Sequence, residues 1–385
     1  MKHKNSINEL LIILIIFVIS RMFIFCGFGL IDKVNSDLSY PVNAYIVKTP
    51  IVKDFVLYDS YHYSNIAKYG YNNLSNYPKI QNHYYIENME ACFFPLYSYV
   101  IRGFLWTGLT SETIGVILSN MCFVLFLYVL RKLLLIKNIN SYLPLVALSL
   151  FPSSMFFSAM YTESLFLLLV ICCFYFAEKR NWLLCGIFGL LGGLTRNTGI
   201  LLSVFIFVQF IETYIKFGGK LKHIIYSVFP VIGLCIFVLM GYFNYGNGLL
   251  YIELQKRFGR EFVNPFKFLT IDLFNGNLKD PLVFFNMFTC YVFVIITIVL
   301  LFDKKVNISY KIWTILLLGI SMSTIYTGDD GVFYSLGYIR YCLPAIPVFM
   351  YIGKIKKYYS LPLILLWGGM LLVYSGMFYY KFLIA

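Results

Sequence analysis

Charged side chains are scarce in this chain. Only 13% of its 385 residues are Asp, Glu, Lys or Arg, and 60% are hydrophobic. Soluble domains contain about 25% charged residues, and the mean hydropathy here is +0.76. Water therefore cannot be the main solvent, and a soluble globular fold is excluded.

The sequence also lacks a paired-cysteine motif and an obvious internal repeat. Its nine cysteines contain no C-x-x-C pair and lie mostly inside apolar runs, where cysteine behaves as a small hydrophobe. This pattern indicates neither a zinc site nor a redox motif. The missing repeat matters because many secondary transporters carry one.

Long apolar runs are abundant. The first, LLIILIIFVIS followed by RMFIFCGFGL, is about 20 residues long, which is enough to cross a ~30 Å hydrocarbon core. It exceeds the usual ~7–15 residues of a signal-peptide core and lacks a small-x-small cleavage site, so we expect a retained helix. Arg21 lies deep in this run and must face the helix bundle or a polar cavity.

Ten further candidate spans follow, near residues 113–133, 142–158, 163–178, 182–195, 198–215, 223–243, 283–302, 309–326, 341–353 and 360–380. The sequence therefore predicts an all-α polytopic membrane protein with about eleven transmembrane helices. No soluble domain or low-complexity linker interrupts it, so we predict a single integral domain over residues 1–385.

Positive charge predicts the orientation. Short loops rich in Lys and Arg mark the cytoplasmic side, and six such stretches occur: MKHK, LRKLLLIKN, AEKRN, IKFGGKLKH, FDKKVN and GKIKKYY. With the N-terminus inside and eleven spans, all six fall on the cytoplasmic side. This pattern accounts for the net charge of +13 and removes the need for a nucleic-acid partner.

Two long loops are predicted on the outer face, at about 31–112 and 245–282. The first should carry short helices. The polar residues that look least like packing residues also fall on that face: Tyr58, Asp59, His62, Glu90, Arg102, Glu163, Arg196, Asn197, Arg340 and Tyr341. This placement predicts that the outer face carries the function.

Asp59 has two interpretations. The stretch YDSYHYSNIAKYG predicts a short helix with Asp59 as its N-cap and Gly70 as a left-handed stop. Alternatively, Asp59 is a general base that takes the proton of an acceptor hydroxyl during inverting glycosyl transfer. A retaining reaction would need a second carboxylate nearby, whereas the surrounding tyrosines suit the apolar and polar faces of a sugar.

The remaining candidates supply charge. Arg196 and Arg340 fit a lipid phosphate through bidentate hydrogen bonds, or are interfacial arginines; Arg102 is a weaker candidate of the same kind. Glu163 has three alternatives: it orients a partner arginine, binds a metal or faces water in a turn. His62 and Glu90 are predicted to support the base. Asp329 and Asp330 suit a divalent cation or form a solvated turn.

Four ordered motifs then resemble a known family. They are YDSYHYSNIAKYGY, EACFFPLYSYVIR, SAMYTESLFLLL and GGLTRNTGILL, with YIRYCLPAIPVF as a looser match. Together they are similar to the GT-C mannosyltransferases related to the enzyme that adds the second mannose in GPI-anchor assembly. The resemblance covers about the first half of the chain and implies a GT-C-like fold with a polyprenyl-phosphate sugar donor.

The resemblance further implies that Asp59 is the catalytic residue. Tyr58 stands where the family has tryptophan, and with Arg102, Arg196, Asn197, Arg340 and Tyr341 it is assigned to substrate binding. We expect a membrane glycosyltransferase, acting outside a bacterial plasma membrane on a lipid, glycan or protein acceptor. No metal ligand set is assigned. A flippase for a lipid-linked sugar and a non-catalytic assembly partner are the alternatives.

Overall fold

The computed structural model describes residues 2–34, 52–71, 88–257, 260–274, 281–327, 333–334 and 337–379. Helices dominate these residues. They are α1 (Lys2–Val34), α2 (Ser60–Tyr69), α3 (Pro95–Gly103), α4 (Ser111–Ile136), α5 (Leu143–Ser149), α6 (Glu163–Glu178), α7 (Trp182–Gly193), α8 (Leu201–Phe217), α9 (Phe229–Tyr245), α10 (Leu250–Arg257), α11 (Pro265–Phe274), α12 (Pro281–Phe302), α13 (Ile308–Ser321), α14 (Tyr338–Tyr341), α15 (Ile346–Ile352) and α16 (Lys357–Tyr379).

Six helical stretches of the described residues are long and apolar enough to cross a membrane. They are Ile7–Leu30, Ser111–Ile136, Asn197–Phe217, Leu221–Tyr245, Val283–Phe302 and Lys357–Tyr379. Trp182–Gly193 and Ile308–Ser321 are apolar but shorter. A helical membrane-embedded protein is thus confirmed, whereas the count of about eleven spans is not.

The predicted spans 142–158 and 341–353 do not form continuous helices. Within 142–158, α5 has seven residues, about 10 Å at 1.5 Å per residue, well short of a ~30 Å hydrocarbon core. Within 341–353, the chain breaks between α14 and α15. Hydropathy reports where a segment is apolar, but not whether its backbone stays helical.

The chain after α5 forms a buried, largely non-helical stretch, residues 150–162, which we call the broken segment. Turn hydrogen bonds satisfy part of its backbone, and side chains satisfy further carbonyl groups. Arg21 donates to the Ser154 carbonyl (3.5 Å) and to the Ser158 hydroxyl. It therefore faces the interior of the first unit, as the sequence predicts. Asn120 donates to the Ser158 carbonyl (3.4 Å). The buried arginine therefore supports irregular backbone.

A small antiparallel sheet departs from the all-α expectation. Strand β1 (Arg260–Phe262) pairs with β2 (Thr324–Thr327), which also pairs with β3 (Phe333–Tyr334). The register sets Arg260 opposite Tyr326. Strands of two to four residues carry too little period-2 signal to detect in a sequence, and the beginning of β2 falls inside the predicted span 309–326.

The chain divides into two compact units. The first unit comprises Met1–Gly70, Leu96–Tyr175 and Phe349–Ile384, and the second comprises Tyr71–Pro95 and Phe176–Val348. The prediction of a single integral domain over residues 1–385 stays a prediction.

Close helix packing forms the core of each unit. In the first unit α1 lies along α16, and a Cβ on Gly27 would stand 2.4 Å from the Leu372 carbonyl oxygen. In the second unit α7 lies along α9, and a Cβ on Gly233 would stand 2.3 Å from the Leu190 carbonyl oxygen. Glycine at these contacts lets the helix backbones approach as they do in membranes.

Candidate functional site

The candidate base follows a short loop in the first unit, residues 52–60, which we call the strap. It opens with a 3-10 turn at Lys53–Phe55, and α2 begins at Ser60. The predicted helix is therefore confirmed, and Gly70 ends it at φ 78° as expected. Its ψ of −168° is extended, however, so Gly70 is not a left-handed helical stop.

Asp59 occupies the N-cap position without acting as a cap. Its backbone carbonyl accepts from His62 N and Tyr63 N at 3.1 and 3.2 Å, while its side chain makes no capping hydrogen bond. The carboxylate is half-buried. The N-cap interpretation of this side chain is therefore wrong, because a capping aspartate must accept from an N–H of the first turn.

The residue before the carboxylate is strained. Tyr58 has φ 50°, a region that bulky side chains rarely adopt and that costs on the order of 1 kcal/mol or more. Its ring lies 6.1 Å from that of Phe378, and burial raises the pKa of its hydroxyl. Strain of this kind concentrates at functional sites.

Three hydrogen bonds join the strap to the broken segment. Met160 N donates to the Phe55 carbonyl at 2.9 Å. The Ser60 hydroxyl donates to the Met160 carbonyl at 3.1 Å, and the Tyr161 hydroxyl donates to the Leu57 carbonyl at 2.9 Å. The chain leading into Asp59 and the chain leading into Glu163 are therefore held together.

Glu163 is buried rather than facing water. Its residue is 2% exposed and begins α6, where the helix dipole favours a negative charge. Burial raises the pKa of the Tyr97 hydroxyl well above its usual value, and the Glu163 carboxylate contributes to that rise. The alternative of a solvated turn residue is therefore wrong for Glu163.

An aromatic cluster surrounds this part of the first unit. The Tyr63 ring lies 5.3 Å from that of Tyr97 and 6.4 Å from that of Tyr161. His62 is half-buried, with its ring edge-on to Tyr61 at 5.4 Å. Tyr63, Tyr97 and Tyr161 are buried, so their rings form the core next to the strap and His62 lies closer to the surface.

Arg102, in α3, lies near the C-terminal end of α2, whereas Asp59 precedes the N-terminal end of that helix. Arg102 is exposed, and a Cβ on Gly70 would stand 3.3 Å from its Nη1 atom. The ten residues of α2 place the two ends about 15 Å apart. The structure therefore does not bring Arg102 together with Asp59.

Glu90 lies in the second unit. It sits in the 3-10 turn Met89–Cys92 and is 4% exposed. Asn88 precedes this turn in the left-handed conformation at φ 62°, and the Cys92 thiol donates to the Tyr251 carbonyl at 3.8 Å. The 3-10 turn that holds this buried carboxylate thus begins after a left-handed residue.

The predicted phosphate contacts also lie in the second unit. The Arg196 guanidinium lies 5.9 Å from the centre of the Tyr341 ring, and Arg340, which is 6% exposed, directly precedes that tyrosine. Asn197 is exposed, and its side chain accepts from Thr198 N at 2.7 Å. The structure therefore brings Arg196 to Tyr341, while Asn197 completes a local turn.

One residue that the sequence did not single out joins them. Arg260 lies 5.5 Å from the centre of the Tyr341 ring and donates to the Tyr341 hydroxyl at 2.6 Å. No motif surrounds it in the loop 245–282. The only sequence signal for Arg260 was that it is an arginine in a predicted outer loop.

Metal binding finds no support within the described ranges. They contain no group of three or more His, Cys, Asp or Glu residues that could hold an ion. Asp329 and Asp330, the predicted alternative cation ligands, lie outside the described residues.

No protein-family model matches this chain, and no curated protein or solved structure matches it.

Proposed function

We propose that the protein is an inverting membrane glycosyltransferase that takes a hexose, with mannose as the first choice, from a polyprenyl-phosphate donor. Asp59 is the general base. Arg196 and Arg340 hold the donor phosphate, and His62, Glu90 and Glu163 support the reaction. The acceptor is a lipid-linked glycan, a surface polymer or a protein on the outer face of a bacterial plasma membrane.

The observation that carries the proposal is that the Asp59 carboxylate does not cap the helix it precedes. It stands half-buried at a helix start whose N–H groups it does not cap, after a strained tyrosine. It also lies on a strap bonded to the segment that leads into Glu163. The four motifs that resemble the GT-C mannosyltransferases give this carboxylate the same role.

The chemical step uses one base. As the acceptor oxygen bonds to the anomeric carbon, its proton passes to the Asp59 carboxylate. The bond from the anomeric carbon to the phosphate oxygen breaks, and its electron pair leaves with the phosphate. Guanidinium groups stabilise the charge that grows on that oxygen.

Sugar transfer tests the proposal. Membranes that contain the wild type should move label from mannosyl-phosphoryl-polyprenol to an acceptor. Asp59→Asn should lower the rate of sugar transfer about 10²–10⁴-fold, the usual effect of removing a general base. Asp54→Asn, on the same strap, is the matched control and should keep wild-type activity. Equal transfer by wild type and Asp59→Asn would sink the assignment of the base.

A flippase for a lipid-linked sugar is the second candidate. It is favoured by the two apolar stretches that break between helices, at 150–162 and 342–345, since discontinuous helices line binding sites in many transporters. No transfer from any donor sugar, together with movement of a labelled lipid-linked sugar across proteoliposomes, would favour this candidate over the transferase.

A further inference from the structure

Arg260 is held in a defined position in the second unit. It begins β1, at the edge of the three-stranded sheet, and its backbone pairs with Tyr326. Its side chain is fixed at two points: Nη1 donates to Gln255 Oε1 at 3.0 Å, and Nη2 donates to the Tyr341 hydroxyl at 2.6 Å. The guanidinium is thus oriented by two neutral groups.

A second guanidinium approaches the same ring. Arg196 and Arg260 lie 5.9 and 5.5 Å from the centre of the Tyr341 ring. Two positive charges therefore lie against one tyrosine in the second unit. A guanidinium also presents a planar fork of donors that matches phosphate oxygens.

Two large aromatic residues that follow Arg260 closely in the chain are exposed, and the exposed Glu261 lies between Arg260 and the first of them. Phe262, on the same strand, is 73% exposed, and Phe266, at the start of α11, is 77% exposed. Large exposed aromatic side chains next to a cation suit a ligand that joins an anionic head to a hydrocarbon chain. This favours a lipid phosphate over free inorganic phosphate.

We propose that Arg260 binds the phosphate of the polyprenyl-phosphate donor together with Arg196, and that Tyr341 positions both guanidinium groups. The identity of the anion rests on the proposed function. Arg260 then holds the phosphate in the bound donor and stabilises it as it departs with the electron pair of the broken bond.

Binding of labelled farnesyl phosphate to the purified full-length protein tests this site. The wild type should bind it, with farnesol and inorganic phosphate as poor competitors. Arg260→Gln should weaken binding about tenfold or more, because it removes charge-assisted hydrogen bonds. Arg260→Lys, which keeps the charge but loses the fork, should fall between the two. Lys256→Gln removes an exposed positive charge four residues earlier and should bind as the wild type does.

A measurement on the wild type guards against a variant that misfolds. Farnesyl phosphate should protect Arg260 from phenylglyoxal, as read by peptide mass mapping. An unprotected Arg260, an Arg260→Gln variant that binds normally, or a wild type that does not bind would each overturn the site. Equal competition by inorganic phosphate would overturn the assignment to a lipid carrier.

Sugar transfer measured in parallel separates this site from the proposed function. A wild type that binds farnesyl phosphate through Arg260 but transfers no sugar would keep the anion site and lose the transferase. If Arg260→Gln transfers sugar at the wild-type rate, the protein is a transferase but Arg260 has no part in the reaction.

Discussion

At the scale of single residues, Asp59 and Thr110 occupy the same position at the start of two helices but behave differently. The Thr110 hydroxyl accepts from Thr113 N at 3.2 Å and caps α4, whereas the Asp59 side chain makes no capping bond. The aspartate therefore does not cap its own helix, whereas the threonine does.

The two caps predict different costs of truncation. Thr110→Ala should lower the free energy of unfolding by about 1 kcal/mol, the usual cost of losing a cap. Asp59→Ala should change it by about 0.5 kcal/mol or less. Equilibrium unfolding in mixed detergent micelles measures both, and alanine is used because asparagine would cap as well as aspartate. A loss of about 1 kcal/mol in Asp59→Ala would restore the capping role.

At the scale of elements, α2 is fastened to the start of α4 by a buried polar cluster. Lys68 Nζ and the Ser64 hydroxyl both donate to Glu112 Oε1 at 2.7 Å, and Ser64 shares a hydrogen bond with Ser111 at 2.8 Å. The Lys68 side chain is 30% exposed and that of Glu112 is 7% exposed. This cluster and the strap set the position of the helix that Asp59 precedes.

The unequal burial of the pair predicts unequal effects. Lys68→Met leaves the buried Glu112 without its cation and should destabilise by about 1–3 kcal/mol. Glu112→Gln keeps an acceptor for Ser64 and leaves a lysine that reaches water, so it should cost less. A double-mutant cycle on unfolding free energies measures their coupling. Additive effects would mean that the pair does not fasten α2.

At the scale of the whole molecule, the positive charges and the broken segment together predict which parts of the chain cross the membrane. Lys137 and Lys179 both belong to loops predicted to be cytoplasmic. The chain between them contains the short helix α5, the broken segment and α6. If both loops are cytoplasmic, the part with irregular backbone must cross the membrane and α6 must return.

Cysteine labelling tests that path. In right-side-out membrane vesicles, an impermeant maleimide should label Trp106→Cys, whose parent side chain is 82% exposed. It should label Lys179→Cys, at an exposed position, only after permeabilisation. The wild type, with its native cysteines, gives the background. Labelling of both variants from outside would mean that the broken segment does not cross.

Much of the candidate site depended on contacts that no local pattern contains. The run from Tyr58 to Gly70 predicted the helix α2, because capping and stop residues act within one turn. Whether the Asp59 side chain serves that helix depended on the strap. Arg260 was missed because the tyrosine it contacts lies 81 residues later in the chain.

The sequence by itself determined that this is a helical membrane protein, because hydropathy and charge act residue by residue and need no partner. It also located the six long apolar helices and α2. Only the tertiary structure decided where apolar stretches break, how Arg21 supports the irregular backbone, and which arginines meet at Tyr341. These depend on hydrogen bonds between residues far apart in the chain, and such partners are chosen by packing rather than by local composition.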